Sequence, residues 1–184
     1  MKVDDMSGRP DFTIYVDGSC LDNQNVGPDA PTGWGIVVVT GDSGLGKGGG
    51  EIIHEENGEV ITDETDEDWM GAEVGSNNTA ELSAFAMALR WLLLEGGNGR
   101  ALIRTDSTYA GNLADGTWKA KANKNLVSRM QKLWDEVSAL RELEWKHIRA
   151  HRGHRWNERA DHLAIRAASG EVPIPLDFWK PGQR

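Results

Sequence analysis

Four acidic side chains stand at positions where acids are useful for chemistry: Asp17, Glu81, Asp106 and Asp161. Asp17 follows the alternating run Phe12, Ile14, Val16 and precedes Gly18, which places it at or near the end of a strand with one apolar face. Asp106 follows the short apolar run 101–105 in the same way. Glu81 lies in the expected first turn of a helix over Asn77–Leu94, beside its apolar seam, and Asp161 borders the inward face of a last helix. Each has an ordinary explanation when read alone. Asp-Gly is a turn dipeptide, Asp106 can cap a helix, and a first-turn acid suits the helix dipole.

Read together, the four predict one shared site. Carboxylates packed side by side repel one another and are costly to bury without counterions. Divalent cations remove that cost. Oxygen-only ligands with positions left for water and phosphate suit Mg²⁺ or Mn²⁺. Two such ions about 4 Å apart can activate a water and stabilise the leaving oxygen of a phosphodiester under in-line attack.

The elements that must carry these acids can be read from periodicity. Within Asp11–Cys20 the alternating run reads as a central strand that Gly18 breaks just after Asp17, and Gly33–Thr40, an unbroken apolar run, as a second strand buried on both faces. A third strand is expected at Glu59–Thr62, inside a stretch from 51 to 73 that carries ten acids and no Lys or Arg. That stretch otherwise reads as a solvated acidic loop without the ligand alternation of a calcium loop. Residues 41–50 are seven parts in ten Gly or Ser and lack P-loop spacing. In the helix over Asn77–Leu94, Leu82, Phe85, Ala86, Leu89 and Leu93 share a face, with Asn77 or Asn78 as cap and Gly96-Gly97 as stop. A strand at 101–105, a short helix to Asp115, a helix with a stripe of Leu126, Met130, Leu133, Trp134, Val137 and Leu140, a strand Leu143–Arg149 and a final helix follow. The order β-β-β-α-β-α-α-β-α predicts an α/β protein with a mixed sheet covered by helices. Sites in such sheets form beside strand ends.

Composition bounds the reading. A chain of 184 residues with 39% hydrophobic and 27% charged residues suits one soluble domain. The single cysteine, Cys20, leaves no internal disulfide, and no apolar signal or membrane-spanning run is present, so an intracellular, cytoplasmic, monomeric protein with no membrane partner is expected. The net charge of −9 argues against nucleic acid until its distribution is read: residues 1–115 hold 6 basic and 21 acidic side chains, residues 116–166 hold 12 basic and 6 acidic. A basic surface beside an acidic one follows. The pair His151 and His154 has zinc-like spacing, but no further His/Cys cluster completes four ligands.

With these residues in view, the chain resembles the type 1 ribonucleases H. The likeness rests on VDGSC with Asp17, NNTAEL with Glu81, TDSTY with Asp106 and HRGHRWNERAD with His151 and Asp161, and it spans residues 11–170. It leaves residues 1–10 as an N-terminal extension, 41–73 as a Gly-rich and acidic insertion and 171–184 as a tail expected to pack over the domain edge. The resemblance implies a five-stranded mixed sheet in the order 3-2-1-4-5 with helices on both faces. It also implies a metal site of Asp17, Glu81, Asp106 and Asp161 for two Mg²⁺ ions, replaceable by Mn²⁺. The implied reaction cuts the RNA strand of RNA/DNA hybrids and leaves 5′-phosphate and 3′-hydroxyl ends.

By the same resemblance, His151 matches a mobile histidine that aids proton transfer or product release. Asn23, Asn78 and the backbone near Cys20 would contact 2′-hydroxyls, and the Ser76 hydroxyl a phosphate of the DNA strand. Trp118, Lys119, Lys121 and Lys124 resemble a reduced basic protrusion that binds backbone phosphate. The chain departs from the family pattern in that reduced protrusion, in Thr108 where many relatives have Gln, and in lacking a basic group near Ser76. A junction resolvase or integrase-like nuclease of the same fold, and a non-catalytic nucleic-acid-binding module, remain open as other readings.

Overall fold

The computed structural model describes residues 9–42, 48–149 and 154–183. The sheet has five strands: β1 (Phe12–Cys20), β2 (Thr32–Thr40), β3 (Glu51–Glu59), β4 (Ala101–Thr105) and β5 (Leu143–His147). Their order is β3-β2-β1-β4-β5, with β1 antiparallel to β2, β2 antiparallel to β3, and β1-β4 and β4-β5 parallel. Four helices follow the expected order: α1 (Asn77–Glu95), α2 (Thr108–Ala114), α3 (Lys124–Ser138) and α4 (Arg155–Ser169). Both the sheet order and the helical cover on two faces agree with the expectation.

The alternation of β1 divides the core in two. Ile14 and Val16 join Trp34, Ile36 and Val38 of β2 under α1, whereas Tyr15 joins Val37 and Val39 under α4. Both faces of β2 are therefore covered, as its unbroken apolar run requires. Gly96 ends α1 by returning its N–H to the Leu92 carbonyl, and Arg141, almost fully buried, donates to that same carbonyl and to the Gly97 carbonyl just past the helix.

Several expectations need correction. The third strand is Glu51–Glu59, not Glu59–Thr62, and it lies inside the stretch read as a loop. β3 is an edge strand, so its pattern is mixed: Glu55 and Asn57 face α4, where they bond Arg159 and the Leu163 carbonyl. Turns within 63–68 are exposed, as the acidic run predicts. The cap of α1 is Ser76, because Thr79 offers the reciprocal bond of a capping box, and Asn77 and Asn78 are helical. Leu140 lies beyond α3 and is 52% exposed, and β5 stops at His147. Of the tail, Trp179 is buried against His162 and Arg159, while Phe178 stays exposed. No described helix is long and apolar enough to cross a membrane.

Candidate active site

The site forms where two neighbouring parallel strands stop pairing. β1 and β4 are in register from Phe12↔Ala101 to Val16↔Thr105, and there β4 ends while β1 continues to Cys20. Beyond Val16 the β4-facing edge of β1 opens into a notch, the crevice expected at strand ends where the sheet changes direction. Asp17 is the first β1 residue past the last paired one, and Asp106 is the first residue past β4. Asp17 therefore lies within the strand, three residues short of its end, a small correction to the expectation.

Helices press onto the sheet on either side of this notch, and glycines make both approaches possible. A β-carbon on Gly18 would lie 2.4–2.6 Å from Ala80 and from the backbone nitrogen of Glu81, so only glycine lets the start of α1 sit on β1 there. On the opposite face, a β-carbon on Gly35, the β2 partner of Asp17, would lie 2.6 Å from the Ala160 carbonyl oxygen. That contact seats α4 directly over β2 and carries Asp161 toward Asp17. Glu81 is the fifth residue of α1, one or two positions deeper than a cap at Asn77 or Asn78 would put it, and its carboxylate turns to the sheet instead of to water. Asp106 does not cap α2; Ser107 does, accepting from the Ala110 N–H at 3.0 Å.

Ligand oxygens of Asp17, Glu81 and Asp106 lie within 4.8 Å of one another. Asp161 adjoins them and shares a hydrogen bond with Asp17. Asp17 is 5% exposed; its burial, then the charges of Glu81, Asp106 and Asp161, push its carboxyl well above the usual carboxylate range. Burial also pushes Glu81 well above that range, with the charge of Asp106 adding to it, while hydrogen bonds with Asp17 and the Gly18 backbone oppose the rise. The Gly18 N–H also donates to Asp17 Oδ1 at 2.9 Å. Glu81 Oε2 is buried and has no hydrogen-bond partner. A donor set made only of carboxylate oxygens, one of them buried without a partner, fits hard divalent cations such as Mg²⁺ or Mn²⁺.

The other predicted residues fall around this notch or apart from it. Asn23 is exposed and holds the Asn77 N–H through Oδ1 at 3.0 Å, which ties the loop after β1 to the start of α1. Asn78 is exposed, Ser76 uses its hydroxyl as the helix cap, and Cys20 ends β1 with its sulfur facing the Thr32 hydroxyl. Trp118, 46% exposed, and Lys119 occupy the connection between α2 and α3 with Lys121, and Lys124 opens α3. These basic residues are exposed, outside the acid cluster. His151 lies outside the described residues. Sequence reasoning missed Gly18 and Gly35 as contact points, and it missed Asn157, which is buried one turn before Asp161 with its Oδ1 unpaired. The spacing of four residues between Asn157 and Asp161 was the available signal.

Comparison with known proteins agrees with this fold. A family model described as RNase H matches residues 9–169. A ribonuclease H of Anaplasma marginale (strain St. Maries) is 31% identical over 180 residues, covering 92% of this chain and 98% of that protein. One from Thermosynechococcus vestitus is 33% identical over 179 residues, covering 91% and 94%. Among solved structures, LC11-RNase H1 in complex with an RNA/DNA hybrid superposes with a TM-score of 0.61 at 24% identity, covering 86% of this chain and 97% of that one.

Proposed function

The chain belongs to the type 1 ribonuclease H family of endoribonucleases, and from that premise we propose that it hydrolyses the RNA strand of RNA/DNA hybrids at the notch between β1 and β4. The observation that carries the reading is the crowding of Asp17, Glu81 and Asp106 within 4.8 Å around a buried, unpartnered carboxylate oxygen. These three with Asp161 would hold two divalent ions, Mg²⁺ or Mn²⁺, which when bound would supply acidification of the attacking water and counter-charge for the departing oxygen. The products would carry 5′-phosphate and 3′-hydroxyl ends.

The chain's own residues bind and orient the hybrid. Asn23 fixes the α1 N-terminus, and the exposed Asn78 with the backbone at Cys20 would meet 2′-hydroxyls across the wide minor groove, the feature by which RNA is told from DNA. Ser76, at the positive end of α1, suits a phosphate of the DNA strand. Trp118, Lys119, Lys121 and Lys124 would follow the backbone beyond the cut, and His151 would move a proton or help the product leave.

The test is cleavage of an end-labelled RNA/DNA hybrid in Mg²⁺, in Mn²⁺ and in EDTA, beside duplex RNA, duplex DNA and a four-way junction. Cleavage confined to the RNA of the hybrid and abolished by EDTA is expected, and Asp106→Asn should slow it by at least ~10³-fold, about 4 kcal/mol of transition-state stabilisation. Near-normal cleavage by the pure variant would reject the assignment.

A further inference from the structure

A groove of about 960 Å³ runs along β3 on the α1 side of the sheet, away from the acid cluster. It exists because α1 packs on β1 and β2 and leaves that face of the edge strand uncovered. Its floor is aromatic and sulfur-rich: Trp34, Met70, Met87 and Trp91, with His54 stacked on Trp91 at 5.8 Å and Phe12 edge-on to it at 5.2 Å. Two large apolar side chains stand open at its mouth, Ile53 at 47% and Leu94 at 66% exposure. The rim is acidic. Glu56, Glu59, Asp68 and Glu95 line it, and Arg90 is the only Lys or Arg among the described lining residues.

An apolar floor inside an acidic rim selects its occupant. Phosphate-bearing ligands, nucleic acid or lipid, would meet like charge there. An extended chain turns successive side chains to opposite sides, so a segment that alternates apolar and basic residues can place one set on the floor and the other against the rim. We propose that this groove docks an extended segment of a partner protein in which Lys or Arg alternates with apolar residues. At about 3.3 Å per residue, the length of β3 accommodates roughly seven to nine of them. The site is separate from the hybrid-cutting notch and does not depend on that reading.

The probe is a capped synthetic peptide, Lys-Trp-Lys-Val-Lys-Val-Lys, titrated into the full chain carrying ¹³C-labelled methionine methyls. Met70 and Met87 methyl signals should shift with a dissociation constant of about 10–500 μM. An analogue with Glu in place of every Lys should leave them unmoved, and one with Ser in place of Trp and Val should bind at least about tenfold more weakly. The variant Glu56→Lys/Glu95→Lys should also bind at least about tenfold more weakly while keeping its circular dichroism and its hybrid cleavage. Methyls that stay unmoved at about 1 mM peptide overturn the proposal, and so does equal binding of the Glu or the Ser analogue. Self-association seen by sedimentation and abolished by the same double variant would overturn it as well, since the occupant would then be a second copy, for instance its exposed segment around Trp118.

Discussion

Replacing Asp17 with Asn should stabilise the metal-free protein while disabling it. Asn preserves the shape and can still accept the Gly18 N–H, which lies 2.9 Å from Asp17 Oδ1, so the change removes charge with little else. With ligand oxygens of the three acids within 4.8 Å, each ionised pair costs at least about 3.5 kcal/mol at an effective dielectric constant near 20. Shared protons and water entry relieve part of that, leaving an expected net gain of about 1–3 kcal/mol, or about 2–12 °C in melting temperature for a chain of this size. The pH dependence follows in sign. Asp17 and Glu81 have their pKa values raised above the usual 3.8 and 4.5, so the folded state binds more protons than the unfolded one once pH exceeds those values. The contribution of these two carboxyls to the stability of the metal-free parent therefore falls as pH rises from about 4 toward neutrality, a slope Asp17→Asn should flatten. Thermal melts in EDTA at pH 5 and pH 8, repeated with Mg²⁺, read all of this. The parent should gain most from Mg²⁺ at pH 8, and the variant less. If Asp17→Asn melts at or below the parent in EDTA at pH 8 and Mg²⁺ leaves the parent unchanged, the acids are not electrostatically crowded and the reasoning fails.

Other outcomes test the supports of the site. Gly18→Ala should cost about 1–3 kcal/mol in urea unfolding and reduce hybrid cleavage beyond what the lost stability explains, because the new methyl displaces Glu81. Arg159 is 2% exposed, bonds Glu55 at 2.5 and 3.0 Å and holds the Ile174 carbonyl at 2.8 Å, so Arg159→Ala should cost about 3–5 kcal/mol, read as a lower denaturant midpoint at unchanged slope. Changing Lys119, Lys121 and Lys124 together to Ala should lower the salt dependence of hybrid binding in EDTA by roughly 2–3 units of log K against log salt, while the thermal melt stays near that of the parent.

Much of this arrangement is legible in the sequence. The alternation of β1 and the position of Asp106 just past an apolar strand survive intact, because both depend on period-2 burial in central strands. Periodicity misplaces β3 because an edge strand needs only one well-covered face, and its acids answer to partners distant in sequence: Glu55 meets Arg159 across 104 positions. Ser76 does not stand out as the cap because its box partner is Thr79 instead of the usual Glu or Gln. Gly18 looked like a strand breaker, yet β1 runs through it, and what it supplies is room for a helix that periodicity in β1 cannot announce. The side on which Glu81 faces is legible from its helical angle; its depth in the helix shifts by one or two residues with the true cap.

The division of β1 between two cores also makes it a gauge of correct folding. If β1 paired one residue out of step, Val16 would enter the carboxylate cluster and Asp17 would be driven toward Leu82 and Phe85 beneath α1. Such a molecule would be poorly stable and inert at once. Catalytic yield after refolding would then count correctly aligned sheets, which solubility alone does not.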